Sequence, residues 1–369
     1  MTVPYSRAIA TQGGFLWLVW ILLPRWRGSI YRHVWKEMIL FIILYYSTSA
    51  IYWFALSDKY KIIFEEVVIY CSKMSSSLPV TTLLGFFVTS VFKRWWAIFR
   101  NIPWPDQTAI LTTSFIGGQD KESMKIRQTV IRNVNVVIAM TFKKLSPSVR
   151  KKYPTLRSLL VKTLSLNSYQ LSHCVPPLIL IILAGYLTAE ETLIIENLRS
   201  RSSVDMTYVP IVWACKTVDK AQNDEYIAST HNKIDLMTEI LAIQSKCMEL
   251  SHWATCAIPL AYSQVVTIVV YFFYLSSVVG GQGLDPKRQH EGYGRVYFPI
   301  FTLLQIFFYI GWLKVAESFT NPFGDDDDDF EFLELLKRHR QMSKMLSEQK
   351  PGTLPQAIST LDLHGAAES

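Results

Sequence analysis

The chain has 369 residues, half of them hydrophobic and 18% charged, with a formal net charge of +7. Soluble domains carry about 25% charged residues, so charge is depleted here. It is also unevenly placed: residues 38–57, 74–92, 254–284 and 296–313 contain no Asp, Glu, Lys or Arg. At roughly 20 apolar residues per ~30 Å of hydrocarbon, each run can cross a bilayer or nearly so. That excludes an ordinary soluble protein and predicts an all-α polytopic membrane protein, with spans at about 38–57, 74–92, 254–280 and 296–313.

Residues 1–36 carry Arg7, Arg25, Arg27, Arg32 and Lys36 and no acid. The apolar run from Phe15 to Pro24 is followed by no small-residue cleavage site before Arg25 and Arg27, so an interfacial or packed segment is expected there. Residues 93–152 carry twelve Lys or Arg against Asp106, Asp120 and Glu122. The loops 58–66 and 285–295 are short and mixed in charge. With an even number of spans, the positive-inside rule then places both termini and the stretch 93–253 in the cytosol. That stretch is long enough for a folded helical domain. The positive balance is thus mainly an orientation signal; no nucleic-acid partner is expected.

Cys71, Cys174, Cys215, Cys247 and Cys256 form no CxxC or CxxH pattern, and no disulfide or zinc site is expected. HExxH, GxSxG, GxxxxGK[ST] and GxGxxG are all missing, and the seven histidines are scattered, so nothing in the chain points to an enzyme.

In the second span Pro79 follows Ser75, Ser76 and Ser77. A proline breaks or kinks a helix, and at membrane depth such breaks face protein or a water-filled cavity. Leu78, Thr82 and Phe86 recur at i, i+4 and i+8, one face of a helix. A helix starting near Pro79 would direct free N–H groups at a cavity and favour an anion there. Packing of helices through small residues accounts for the same composition. Beyond the fourth span, five consecutive aspartates, Asp325 to Asp329, are bracketed by Phe323 and Phe330. This run reads either as a solvated acidic linker or as a site for Ca²⁺, which takes six to eight oxygen ligands. It is no EF-hand, because Phe330 and Leu336 stand where that loop needs Gly and Glu.

These two places resemble the bestrophins, a family of calcium-activated anion channels. The matching strings are Arg27-Gly28-Ser29-Ile30-Tyr31, Leu84-Gly85-Phe86-Phe87-Val88-Thr89, Arg94-Trp95-Trp96, Pro103-Trp104-Pro105-Asp106, Ile258-Pro259-Leu260 with Gln264-Val265-Val266, Gly311-Trp312-Leu313-Lys314-Val315-Ala316-Glu317, and Asn321-Pro322-Phe323-Gly324 with its Asp run. Together they cover most of residues 1–331. The resemblance implies a homopentamer around one axial pore in the cell membrane, passing chloride, with bicarbonate a further candidate. It implies a cytosolic calcium clasp made by the side chains of Asp326 and Asp329 and the carbonyls of Ala10, Ser318 and Asn321. It implies a hydrophobic neck at Leu78, Thr82 and Phe86, able to gate by dewetting. The family usually has a large aromatic residue where Thr82 stands, so a leakier neck is expected. Ungapped alignment backward from Cys247 puts His231 at the family's cytosolic aperture. The alternative is a calcium-binding membrane regulator or scaffold with little conductance of its own.

Two segments depart from the family. Residues 331–346 read as a basic amphipathic helix, followed by a mostly disordered tail to 369, so that 1–330 forms the channel domain. About 24 residues are inserted between Val161 and Ala184, with an apolar run too short to span comfortably. A fifth span there would also invert the later topology, so either a cytosolic insertion or a retained intron is expected. Sequencing the transcript decides between them: a message without the segment establishes the intron, and its uniform presence removes that explanation.

Overall fold

A computed structural model of the chain describes residues 26, 28–152, 186–201, 204–285 and 298–348. Every regular element among them is a helix. The chain divides into two compact units, 1–100 with 252–331 and 101–251 with 332–369.

The first unit holds the apolar helices. Helix α1 (Ile30–Ala50) continues through a π-helical turn, Ile51–Ala55. Next come α2 (Asp58–Ser77) and α3 (Val80–Arg100). After the second unit, α10 (Leu260–Gly280) and α11 (Ile300–Thr320) complete the set. Among the described residues three helices are long and apolar enough to cross a membrane, or four if α2 and α3 are one broken span. Charge-free stretches mark these helices but not their ends. Helix α1 starts eight residues before the run at 38, because Arg32, Lys36 and Glu37 extend its first turns. Residues 58–66, read as a loop, form the start of α2, where buried Glu65 accepts a hydrogen bond from Tyr52 Oη at 2.7 Å.

Helices α1, α3, α10 and α11 share a core of Val34, Phe41, Leu84, Phe87, Val270 and Ile306 among others, while Val68 of α2 packs with Tyr52 and Leu284. Polar pins fix their register. Tyr45 Oη donates to the Gly281 carbonyl (3.0 Å) while Gln282 Nε2 donates to the Tyr45 carbonyl (3.0 Å), tying α1 to the end of α10. Tyr274 Oη donates to the Glu37 carbonyl at 2.8 Å. Gly280 lets α10 approach α2 closely, since a Cβ there would sit 2.8 Å from Ser72 N.

In the second unit the helices are α4 (Asp106–Phe115), α5 (Lys121–Leu145), α6 (Pro147–Lys152), α7 (Ala189–Arg201), α8 (Val209–Asn223), α9 (Thr230–Thr255) and α12 (Phe332–Glu348). The last residues of α9 belong to the first unit. Helix α5 is the centre, buried almost continuously from Val130 to Phe142, and α8 and α12 pack on it. Asp120 caps α5 by accepting from the amides of Glu122 and Ser123. Buried Arg127 donates to the carbonyls of Ile116 (3.0 Å) and Gly118 (3.2 Å), closing the chain between α4 and α5.

The amphipathic segment expected at 331–346 is α12, and its apolar face carries His339 at 0% exposure. The imidazole lies edge-on to Trp104 (5.2 Å) and near Phe142 (6.5 Å). Burial, then the neighbouring Arg338 charge, pushes its pKa down to about 4, while Asp106 nearby favours the proton. Arg338 bonds Asp106 at 2.8 Å and covers the Trp104 ring. Burial alone would raise the Asp106 carboxyl, but Arg338 outweighs it and holds the group below its ordinary range. A neutral histidine in the fold must gain its proton on unfolding, so stability is intact above the ordinary histidine value of 6.5 and is lost as pH falls toward 4. The unfolding temperature is therefore expected to drop between these pH values, and His339→Phe, which keeps the ring, to flatten that drop; an unchanged slope in the variant would contradict it.

Candidate functional site

Helix α2 ends at Ser77, Leu78 is extended (φ −74°, ψ 127°), and α3 begins at Val80 with a bend of 42° between the two axes. Pro79 lacks an N–H and forces its predecessor out of the helical region, which is why the break falls there. Ser76 and Ser77 turn their hydroxyls back to the Lys73 carbonyl (2.8 and 2.9 Å). A fresh helix start therefore stands where the sequence placed one.

Helix α3 has two different faces. Val80, Leu84, Phe87, Val91 and Ile98 are buried, and α3 packs against α11 and α10. Thr81 meets Tyr309 Oη on α11 at 2.9 Å. Opposite them Thr82, Gly85, Phe86, Thr89 and Ser90 are exposed, Phe86 by 64%. Thr82 and Phe86 thus share one outward face, as their spacing requires. Leu78 precedes the helix and sits half-buried in the break, so the i, i+4 count from it runs across a bend.

The other half of α3 carries the aromatic residues. Trp95 stacks on Phe99 (5.9 Å), on Phe319 of α11 (5.6 Å) and against Phe330 (5.3 Å), and Phe99 also meets Phe330 (6.0 Å). Arg94 donates to the carbonyls of Cys256 and Trp253, capping the end of α9, where a helix presents unpaired carbonyls. Sequence reasoning found Arg94-Trp95-Trp96 only as a matching string. Phe330, the apolar bracket to the acidic run, is the anchor observed.

The aspartates between Phe323 and Phe330 form a folded loop, with both phenylalanines buried. Phe330 N donates to the Pro322 carbonyl and Asp329 N to that of Asp326, each at 3.1 Å. Asp327 pairs with Arg32 and Asp328 lies 3.7 Å from His33, both of them in the first turn of α1. Anionic groups at a helix N-terminus also meet its positive dipole end. Ser318, in the last turn of α11, bonds the Asp328 side chain. Asp329 is 5% exposed and accepts from the Asp326 amide at 2.8 Å. Burial first, and then the charges of Asp326, Asp328 and Asp325, push its pKa up to about 6, despite that hydrogen bond. Asp328 is raised too, chiefly by burial, with His33 opposing.

Of the expected clasp residues, Ser318 lies in the last turn of α11, Asn321 directly follows that helix, and Asp326 and Asp329 lie in the acidic loop, while Ala10 and the 161–184 insertion lie outside the described residues. The carbonyl of Ser318 is among the last four of α11, which have no partner within the helix. Among the described residues no three His, Cys, Asp or Glu side chains gather into a metal-holding group. Two carboxylates supplemented by carbonyls are compatible with that, since Ca²⁺ accepts both kinds of oxygen. Carboxylate and carbonyl oxygens are the donors a hard cation takes. His231 is exposed in the first turn of α9, its backbone N–H donating to Ser229 Oγ at 3.2 Å. It belongs to the second unit.

Fold and site together define a helical polytopic membrane protein with a broken helix and a folded acidic loop. A family described as "Bestrophin, RFP-TM, chloride channel" matches residues 1–349. Human Bestrophin-3 is 38% identical over 356 residues, covering 96% of this chain and 49% of that protein. Mouse Bestrophin-2 is 37% identical over 352 residues, 95% and 64% of the two chains. The chain thus spans about half to two thirds of the length of these relatives. A bacterial bestrophin homologue from Klebsiella pneumoniae, solved by crystallography with a single substitution, superposes with a TM-score of 0.55 at 13% identity, over 88% of this chain and 100% of that one. The chain belongs to the bestrophin family.

Proposed function

We propose that the protein is the subunit of a calcium-gated anion channel: a homopentamer in the cell membrane, with both termini cytosolic and five copies of α3 around one pore. The observation that carries this reading is the division of α3, whose Val80, Leu84, Phe87 and Val91 face is packed while its Thr82 and Phe86 face is exposed among the described residues. In a ring of five, that outward face lines the axis, with Leu78 at the break above it. Apolar rings of this kind oppose ion passage by dewetting, and Thr82 lowers that opposition with a hydroxyl. The spans hold no ring of Lys or Arg, so selection of chloride, and of bicarbonate, rests on helix ends and apolar walls.

Ca²⁺ would be held by the Asp326 and Asp329 carboxylates with the carbonyls of Ser318, Asn321 and Ala10, supplying positive charge to a loop that has too little. The loop's own residues make the connection to the pore. Arg32 and His33 tie it to α1, and Phe330 rests on Trp95 and Phe99 of the helix that carries Thr82 and Phe86. Ordering the loop therefore biases α3. His231, at the cytosolic aperture, would form a second ring at the exit.

Patch recordings test both parts. Asp326→Ala and Asp329→Ala are each expected to abolish or shift by at least about ten-fold the calcium dependence of chloride current, as loss of a charged ligand does. Current indifferent to both substitutions would reject the clasp, and an absence of anion current in the native protein would reject the channel in favour of a scaffold. Thr82→Phe is expected to lower the current that flows without calcium; an unchanged leak would show that Thr82 does not line the neck.

A further inference from the structure

The exposed face of α3 does not stop at Phe86. Thr82, Phe86, Thr89, Lys93, Trp96 and Arg100 follow one another at alternating steps of four and three residues, and every one of them is exposed. That alternation keeps side chains on one face of a helix over many turns. The buried residues Val80, Leu84, Phe87, Val91 and Ile98 stand on the opposite face. Two of the six exposed residues are cations, and no Asp or Glu occurs between Val80 and Arg100. Neither Lys93 nor Arg100 forms an ion pair among the described residues. Arg94, one position round the helix, is spent on the carbonyls of Trp253 and Cys256. Both free cations lie beyond the charge-free run 74–92, so neither charge is carried into the hydrocarbon.

Between Phe86 and Lys93 this face offers an anion nothing. Thr89 turns its hydroxyl back on the Gly85 carbonyl (2.8 Å), which leaves only lone pairs facing outward. The first hydrogen-bond donor below Phe86 is therefore the Lys93 ammonium. Seven residues separate Phe86 from Lys93, and seven more separate Lys93 from Arg100. Each interval is about 10 Å at ~1.5 Å per residue. That is close to the ~8 Å over which salt screens charge at physiological ionic strength, so Lys93 acts on an ion leaving or entering the neck. We infer that Lys93 and Arg100 bind the permeant anions. The inference rests on the channel reading: in a ring of five α3 helices they form two cationic rings at the cytosolic mouth of the neck. Five ammonium and five guanidinium groups there concentrate small monovalent anions such as chloride and repel cations. The neck then decides when ions pass, and the rings decide which sign of ion arrives.

Unitary conductance in inside-out patches at fixed calcium tests the rings. At low chloride, Lys93→Gln with Arg100→Gln is expected to lower it several-fold, and the loss to shrink as added salt screens the rings. Lys93→Arg keeps the charge and is expected to keep the conductance, whereas Lys93→Glu lowers it further and admits cations. Lys93→Cys asks the same question of a channel already folded and open, with the native protein as reagent control. A cationic methanethiosulfonate applied from the cytosolic side is expected to restore conductance, and an anionic one to depress it. Calcium-dependent anion current that responds neither to these substitutions nor to the sign of the reagent overturns the rings and leaves the channel reading standing. An absence of anion current in the native protein overturns that reading, and the rings with it.

Discussion

Proline 79 is the constraint from which the first unit follows. With no N–H to give and an extended residue required before it, the chain cannot run as one helix from Asp58 to Arg100. Two consequences are forced together. Helix α2 keeps its own partner, α10, through the close approach at Gly280. Helix α3 gains a separate axis and packs along α11, burying Leu84, Phe87 and Val91. A continuous helix would bury one stripe against one neighbour. The broken one serves two neighbours and leaves Thr82 and Phe86 outside both contacts.

The second dependence is electrostatic. Five adjacent carboxylates would repel the chain into an extended linker unless something holds them, and three kinds of contact do so here. Arg32 pairs with Asp327 and His33 lies beside Asp328, the Asp326 amide serves the Asp329 carboxylate while the Phe330 amide donates to the Pro322 carbonyl, and the buried rings of Phe323 and Phe330 anchor the ends. Burial first, and then the neighbouring aspartates, still push the Asp329 carboxyl up to about 6. Apolar anchoring therefore sets where the loop sits, and charge decides how tightly it is ordered.

Charge depletion located the apolar helices well, because a residue that must face hydrocarbon leaves a compositional mark. It located their ends poorly. Arg32 and Glu37 are inside α1 since a helix outlasts the hydrocarbon it crosses, and 58–66 is helical since Glu65 finds Tyr52. The break at Pro79 was legible because proline acts locally. The place of Leu78 was not, because spacing assumes a helix that the same proline interrupts. Among the acidic residues, Phe323 and Phe330 betrayed a folded segment in the sequence. Arg32 and His33 gave no signal, being some 295 residues away in the chain from their partners.

In the second unit the same logic of a few polar contacts on an apolar frame recurs. Helix α12 docks through Phe332, Leu335 and Leu336, whose spacing announced an amphipathic helix, and His339 continues that stripe as an uncharged ring among aromatics. A histidine is an odd choice for a buried stripe position, because each proton it takes opposes docking. Asp106 and Arg338 beside it limit the damage by pairing with each other and covering Trp104. One turn further on, the stripe becomes Ser343 and Ser347, and the apolar seam gives way to a polar contact, with Asn135 of α5 donating to Ser343 Oγ at 2.8 Å. Sequence pattern records the apolar half of that helix, while the polar contact that follows depends on Asn135 of α5 facing the turn where the seam ends.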